Sequence, residues 1–130
     1  MHIERRKKMK LIVIIDEFLD EREFRNYSSS WLANLGFTNI IIDDPRISDK
    51  DLTNDNDFLA TKNDIKYTIQ TFLNRDITKK EVDETLEDMK KENVENGIII
   101  TNKKVSNQFR EYASEKSVEI FDRRDLIKEE

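Results

Sequence analysis

The chain contains no cysteine, a single histidine, one proline and two glycines. Each scarcity removes a class of function. Without cysteine there are no disulfides, no thiolate nucleophile and no Cys-ligated zinc. The lone His2 lies at the N-terminus, where it reads as a terminal residue rather than a member of a triad or a His-rich metal site. Gly36 and Gly97 cannot build the Gly-rich loops of P-loop or dinucleotide-binding folds. Chemistry here must rest on carboxylates, amides, lysines, arginines or hydroxyls. Long apolar runs are also missing. Leu11 to Ile15 spans only five residues before Asp16-Glu17, too short for secretion or a membrane span despite the basic stretch Arg5-Arg6-Lys7-Lys8-Met9-Lys10 ahead of it. The expectation is a cytoplasmic protein with no membrane partner.

What is present points to a compact domain. A length of 130 residues suits one domain with a real core. Hydrophobic residues make up 36% and charged residues 39%, a balance that could also describe a disordered chain. The apolar residues, however, gather in runs (Leu11 to Ile15, Ile40 to Ile42, Ile98 to Ile100), as disordered chains rarely allow. A net charge of −5 argues against strong non-specific nucleic-acid binding by the whole domain and leaves room for a local basic patch. Residues 4–10 read as a basic tail, with a weak nucleic-acid arm as the alternative.

Periodicity sets the order of elements. Leu11 to Ile15 is compatible with either a strand or the start of a helix. From Glu21, the residues Phe24, Tyr27, Trp31, Leu32 and Leu35 form one apolar helical face, and Gly36 follows as a C-cap. Thr38 to Asp43 reads as a strand. Asp43 to Asp57 is an acidic, turn-rich stretch with Pro45. Asp57 to Lys62 and Lys66 to Leu73 read as a hairpin around Asn63-Asp64. Tyr67, Ile69, Thr71 and Leu73 should share one face of the second strand, and Thr68, Gln70 and Phe72 the other. Thr78-Lys79-Lys80-Glu81 is a capping box. Its helix, with Val82, Leu86 and Met89 on one side, should end near Asn96-Gly97. Ile98 to Thr101 is apolar enough to be a buried, parallel strand. Ser106 starts a helix carrying Phe109, Tyr112 and Ala113. Val118 to Phe121 is the last strand, and a short helix follows from Asp122. The fold class is therefore α/β, a mixed β-sheet flanked by helices in the order αβββαβαβ.

That order, with particular residues in it, resembles the Mrr-like restriction endonuclease domain of the PD-(D/E)xK nuclease superfamily. The resemblance rests on Glu23-Phe24 through Leu35-Gly36-Phe37-Thr38-Asn39-Ile40, on Gly97-Ile98-Ile99-Ile100-Thr101-Asn102, on Arg110-Glu111-Tyr112-Ala113 and on Ile120-Phe121-Asp122-Arg123-Arg124-Asp125-Leu126. It divides the chain into a basic and apolar extension, 1–22, and an Mrr-like domain, 23–130. It implies DNA as substrate or partner and magnesium as cofactor of any activity. In such nucleases a strand-borne Asp and a Gln or Glu two residues before a Lys surround the metal. The carboxylate supplies a hard oxygen ligand, and the lysine positions water and adds positive charge. Residues n and n+2 of a strand share a face, which explains the spacing.

Carried over residue by residue, the resemblance makes Asp57 the metal-binding aspartate and Gln70 the Gln of Q-x-K. The lysine position holds Phe72, and the first-helix acid position holds Arg25. An apolar ring thus replaces a catalytic cation. The implied function is a DNA- or partner-binding restriction endonuclease-like domain with impaired or absent nuclease activity. The alternative is an active metal-dependent endonuclease with a displaced lysine, for which Lys79 and Lys80 are candidates; Lys66 is roughly 13 Å along the strand from Gln70. Structural readings stand beside these: Asp57 as the end of an acidic loop, Gln70 as a hydrogen-bonded core amide, Phe72 as core packing, Arg25 as a solvated helix residue. Asp49, Asp51 and Asp55 approach calcium-loop spacing, but Asn54 and Ala60 stand where a glycine and a bidentate Glu are needed. Ser28-Ser29-Ser30 has no base nearby and reads as helix surface. A second resemblance, of Lys10 to Glu17 to the first strand and acidic pair of a response-regulator receiver, would imply a signalling domain, but the phosphoacceptor would have to be Asp76, two residues late.

Overall fold

A computed structural model describes Phe18, residues 20–42 and residues 57–127. The basic start, the apolar run 11–15, the receiver-like segment 10–17 and the acidic stretch 43–56 lie outside the described residues.

Helix α1 runs Glu21–Asn34. Asp20 caps it by accepting from the Glu23 N–H at 2.9 Å. It ends where Gly36 takes φ 101°, a left-handed conformation that glycine adopts without a Cβ clash. Strand β1 (Thr38–Ile42) follows, then β2 (Asp57–Lys62) and β3 (Ile65–Phe72). The β2–β3 turn is Asn63-Asp64, and both residues have positive φ (53° and 67°). That is the signature of a type I′ turn, whose twist matches the flanking strands.

Helix α2 (Lys79–Glu92) opens on the expected capping box at Thr78 and Glu81. It stops at Asn93 in the left-handed region, three residues before the Asn96-Gly97 end that periodicity suggests. Both of those residues already belong to β4 (Asn96–Thr101). Gly97 has a packing reason instead: a Cβ there would lie 2.9 Å from both Met89 Sδ and Thr85 Cγ2. Helix α3 (Asn107–Ser114), β5 (Val118–Phe121) and the single-turn α4 (Arg123–Leu126) complete the described elements. Ser106 holds the N-cap position of α3, but its side chain makes no capping bond.

The five strands form one sheet in the order β1-β2-β3-β4-β5. The first three are antiparallel; β3, β4 and β5 are parallel. Alternation along the strands divides the core in two. Ile69, Ile98 and Ile100 pack with Phe24 and Leu32 of α1 and Leu126 of α4. Phe72, Ile99, Val118 and Ile120 pack with Val82 and Met89 of α2 and Ala113 of α3. Both faces are covered, so Ile98, Ile99 and Ile100 are all fully buried, as an apolar parallel strand requires. Among the described residues, no helix is long and apolar enough to cross a membrane.

Candidate active site

The hairpin register fixes the site's frame. Asp57 stands opposite Gln70 in the β2–β3 ladder, so the two residues named from the Q-x-K resemblance occupy paired positions. Phe72, two residues on, pairs with Thr101 at the end of β4. The amino end of β2 and the carboxyl ends of β3 and β4 therefore meet at one end of the sheet. In open α/β sheets, that is the end where ligands bind.

The side chains at this end are arranged for packing. Gln70 is 8% exposed and faces α2, where its Oε1 accepts from Thr85 Oγ1 at 2.5 Å. Thr85 lies three residues after Val82, on the buried side of the helix, so its hydroxyl needs an internal acceptor. Phe72 is 4% exposed within the core under α2 and α3. The guanidinium of Arg75 sits 5.1 Å from its ring centroid. That cation is already engaged: Arg75 Nε donates to Glu81 Oε2 at 3.0 Å, and NH2 to Glu84 Oε1 at 3.4 Å. Burial pushes the Glu81 carboxyl up, but the Thr78 hydroxyl and N–H, its own backbone N–H and Arg75 outweigh it and hold the group below its usual value.

Of the displaced-lysine candidates, Lys79 is already engaged elsewhere. Lys79 Nζ lies 3.5 Å from Asp83 and 5.7 Å from the Tyr112 ring, on the α2–α3 side. Lys80 is exposed on the first turn of α2, and Lys66 is exposed near the opposite end of β3. Arg25 departs from the sequence expectation: it is 5% exposed rather than solvated, because its position on α1 faces the sheet. Ser28, read as helix surface, is likewise fully buried one turn of α1 away.

Sequence reasoning missed Glu21. One turn before Arg25 on the same side of α1, it reaches the backbone N–H of Leu73, immediately after Phe72. Burial raises its pKa, with Asp20 adding to the effect, while the Leu73 N–H and Arg75 pull it down less strongly. The i, i+4 spacing from Arg25 was the available signal.

A second polar cluster lies beside this one. Asp122 is fully buried at the end of β5. It accepts from the Val105 N–H at 2.9 Å and from Arg124 NH2 at 2.7 Å, and Arg110 NH1 lies 3.6 Å away. Burial pushes its carboxyl up, but the hydrogen bonds from Arg124 and from the Val105 and Arg124 backbones, with the charge of Arg110, hold it below the usual carboxylate range. Asp125 closes a capping box by accepting from the Asp122 N–H at 2.9 Å.

A protein-family comparison matches residues 16–129 to Mrr_cat, described as restriction endonuclease. The chain belongs to that family. No curated protein and no solved structure matches it. The family match agrees with the mixed five-stranded sheet and flanking helices, a restriction-endonuclease-like fold.

Restriction endonuclease-like domains typically use magnesium, a hard cation that needs several oxygen ligands in near-octahedral geometry. The side chains of Gln70 and Phe72 do not fit it; that of Asp57 lies outside the described ones. Gln70 Oε1 is turned to Thr85 beneath α2, and Phe72 offers no donor. Among the described residues, no group of three or more His, Asp or Glu side chains converges as metal ligands.

Proposed function

We propose that this restriction endonuclease-like domain binds duplex DNA at the carboxyl end of its parallel strands and does not cleave it. The observation carrying this reading is Phe72, buried in the core at the position where the resemblance expects a catalytic lysine. The water in such a site would lack its positioning group and the phosphate its cation; preorganised charges of this kind commonly contribute about 3 kcal/mol or more each to catalysis. On this reading Asp57, the one metal ligand named from the resemblance, and Gln70 are remnants of a catalytic site, and the domain works in the cytoplasm.

The receiver alternative has nothing to support it. A receiver sheet is built of parallel strands, whereas β1, β2 and β3 form an antiparallel meander.

Binding is tested with a labelled duplex titrated at low salt in magnesium buffer, with the DNA recovered and sized afterwards. The expected result is weak, reversible binding that vanishes at moderate salt, because a net charge of −5 leaves few phosphate contacts, and intact DNA. Cleavage products would overturn the non-cleaving half of the reading. Absence of binding at low salt would overturn the DNA half and turn attention to a protein partner.

A further inference from the structure

We infer that Lys103 and Lys104, in the β4–α3 loop, form the principal phosphate-contacting surface for duplex DNA, together with the exposed edge of Arg124. This rests on the DNA-binding reading above and assigns it a place.

Three loops meet at the carboxyl end of the parallel strands and are tied into one surface. The β3–α2 and β4–α3 loops are clasped by a reciprocal amide pair: the Asn74 N–H donates to Asn102 Oδ1 at 2.7 Å, and Asn102 Nδ2 donates to Asn74 Oδ1 at 2.9 Å. The β4–α3 and β5–α4 loops are joined by Val105 N–H to Asp122, by Arg124 NH2 to the Val105 carbonyl at 3.0 Å, and by Arg123 N–H to the Lys103 carbonyl at 3.3 Å. The backbones that carry these cations are set before a ligand arrives, which lowers the ordering cost of binding.

The charges on this surface are sorted by depth. Asp122, fully buried, and Glu81, with 6% of its side chain exposed, are satisfied by Arg124 and Arg110 and by Arg75. Among the described residues of the β4–α3 and β5–α4 loops, three cations face solvent: Lys104 is exposed, and the Lys103 and Arg124 side chains are 46% and 49% exposed. Of the exposed acids on the β3–α2 side, Glu84 is paired with Arg75, and Asp76 lies 3.2 Å from Lys103. A solvent-exposed pair of this kind is worth only about 0–1 kcal/mol, so a phosphate can take the lysine over. The surface adjoins the end of β3 that carries Gln70 and Phe72, so a duplex resting on it would run past the candidate site. An acidic protein as a whole can in this way present a basic face at one end.

The test compares two charge reversals that change net charge equally. Lys103→Glu with Lys104→Glu alters the proposed surface. Lys90→Glu with Lys91→Glu alters the last turn of α2, at the opposite end of the sheet. Binding of a fluorescent duplex is followed by anisotropy across a salt series, with thermal melting as a check on folding. The first pair should weaken binding by roughly tenfold and lower the salt slope by about 2, one for each lost phosphate contact. The second should leave affinity within about twofold, as expected for charges beyond a Debye length from the DNA. Equal losses in both pairs, or an unchanged slope in the first with wild-type binding intact, would overturn the inference while leaving DNA binding standing. A wild type that fails to bind at low salt would overturn both.

Discussion

Two polar clusters sit side by side at the carboxyl end of this sheet, and they have different fates. At the end of β5, Asp122 is fully buried and every neighbour supports it: two arginines, two backbone N–H groups and a reciprocal cap from Asp125. At the end of β3, the position where the resemblance expects a lysine holds a core phenylalanine, and the Arg75 guanidinium over its ring is held by Glu81 and Glu84. The first cluster joins loops to the sheet. The second would be needed only for chemistry. On the reading proposed above, the cluster that ties loops to the sheet is kept while the one that would cut is lost. Asp122 is not easily given up, because without it the buried Val105 N–H loses its acceptor and two arginines lose their shared carboxylate. A catalytic lysine can be exchanged for an apolar ring with no such structural penalty, provided the ring finds a core to enter.

The sharpest way to break this comparison is Asp122→Ala. It leaves the buried Val105 N–H without an acceptor and removes the charge-assisted bonds from half-exposed Arg124, and should cost about 2–4 kcal/mol. Urea unfolding measures it; a loss under about 1 kcal/mol would show the network to be ornamental.

Phe72→Lys tests the other cluster. The side chain is 4% exposed, so the ammonium would be buried and ring packing lost. We expect destabilisation of about 3 kcal/mol or more and no gain of DNA cleavage. A variant as stable as wild type would mean that the lysine reaches solvent and that the site is more open than its packing indicates.

The smallest effects concern pH. Asp122 and Glu81 are held below their usual values, so their contribution is present above about pH 4 and is lost as pH falls through their folded-state pKa values. Glu21 is raised, so its contribution has the opposite sign: present below its unfolded value of 4.5 and lost as pH rises through the folded one. Glu21→Gln should therefore raise stability near neutral pH by less than about 1 kcal/mol, with the gain fading in acid. A loss at neutral pH would show that its contact with Leu73 outweighs its burial.

Much of the frame was legible in the sequence. The Asn63-Asp64 turn, the Thr78–Glu81 capping box and the isoleucine run of β4 each carry a local signal that tertiary structure did not override, and the turn sets the hairpin register that opposes Asp57 to Gln70. Gly97 misled because its role is the close approach of α2 to β4, and a three-dimensional contact leaves no mark in periodicity. Arg25 and Ser28 misled in the same direction: both are polar residues on the buried side of α1, where composition suggests solvent. Glu21 and Thr85 went unnoticed because their importance depends on partners, the Leu73 backbone and the Gln70 amide, that only the packed helices supply.

The most direct test of the central claim is plasmid nicking. Purified wild-type protein, incubated with supercoiled DNA and magnesium or manganese, should nick no faster than Asp57→Ala prepared in parallel, because both lack a cation at the lysine position. Magnesium-dependent cleavage by the wild type that Asp57→Ala abolishes would contradict it, and would show that another residue supplies the charge that Phe72 cannot.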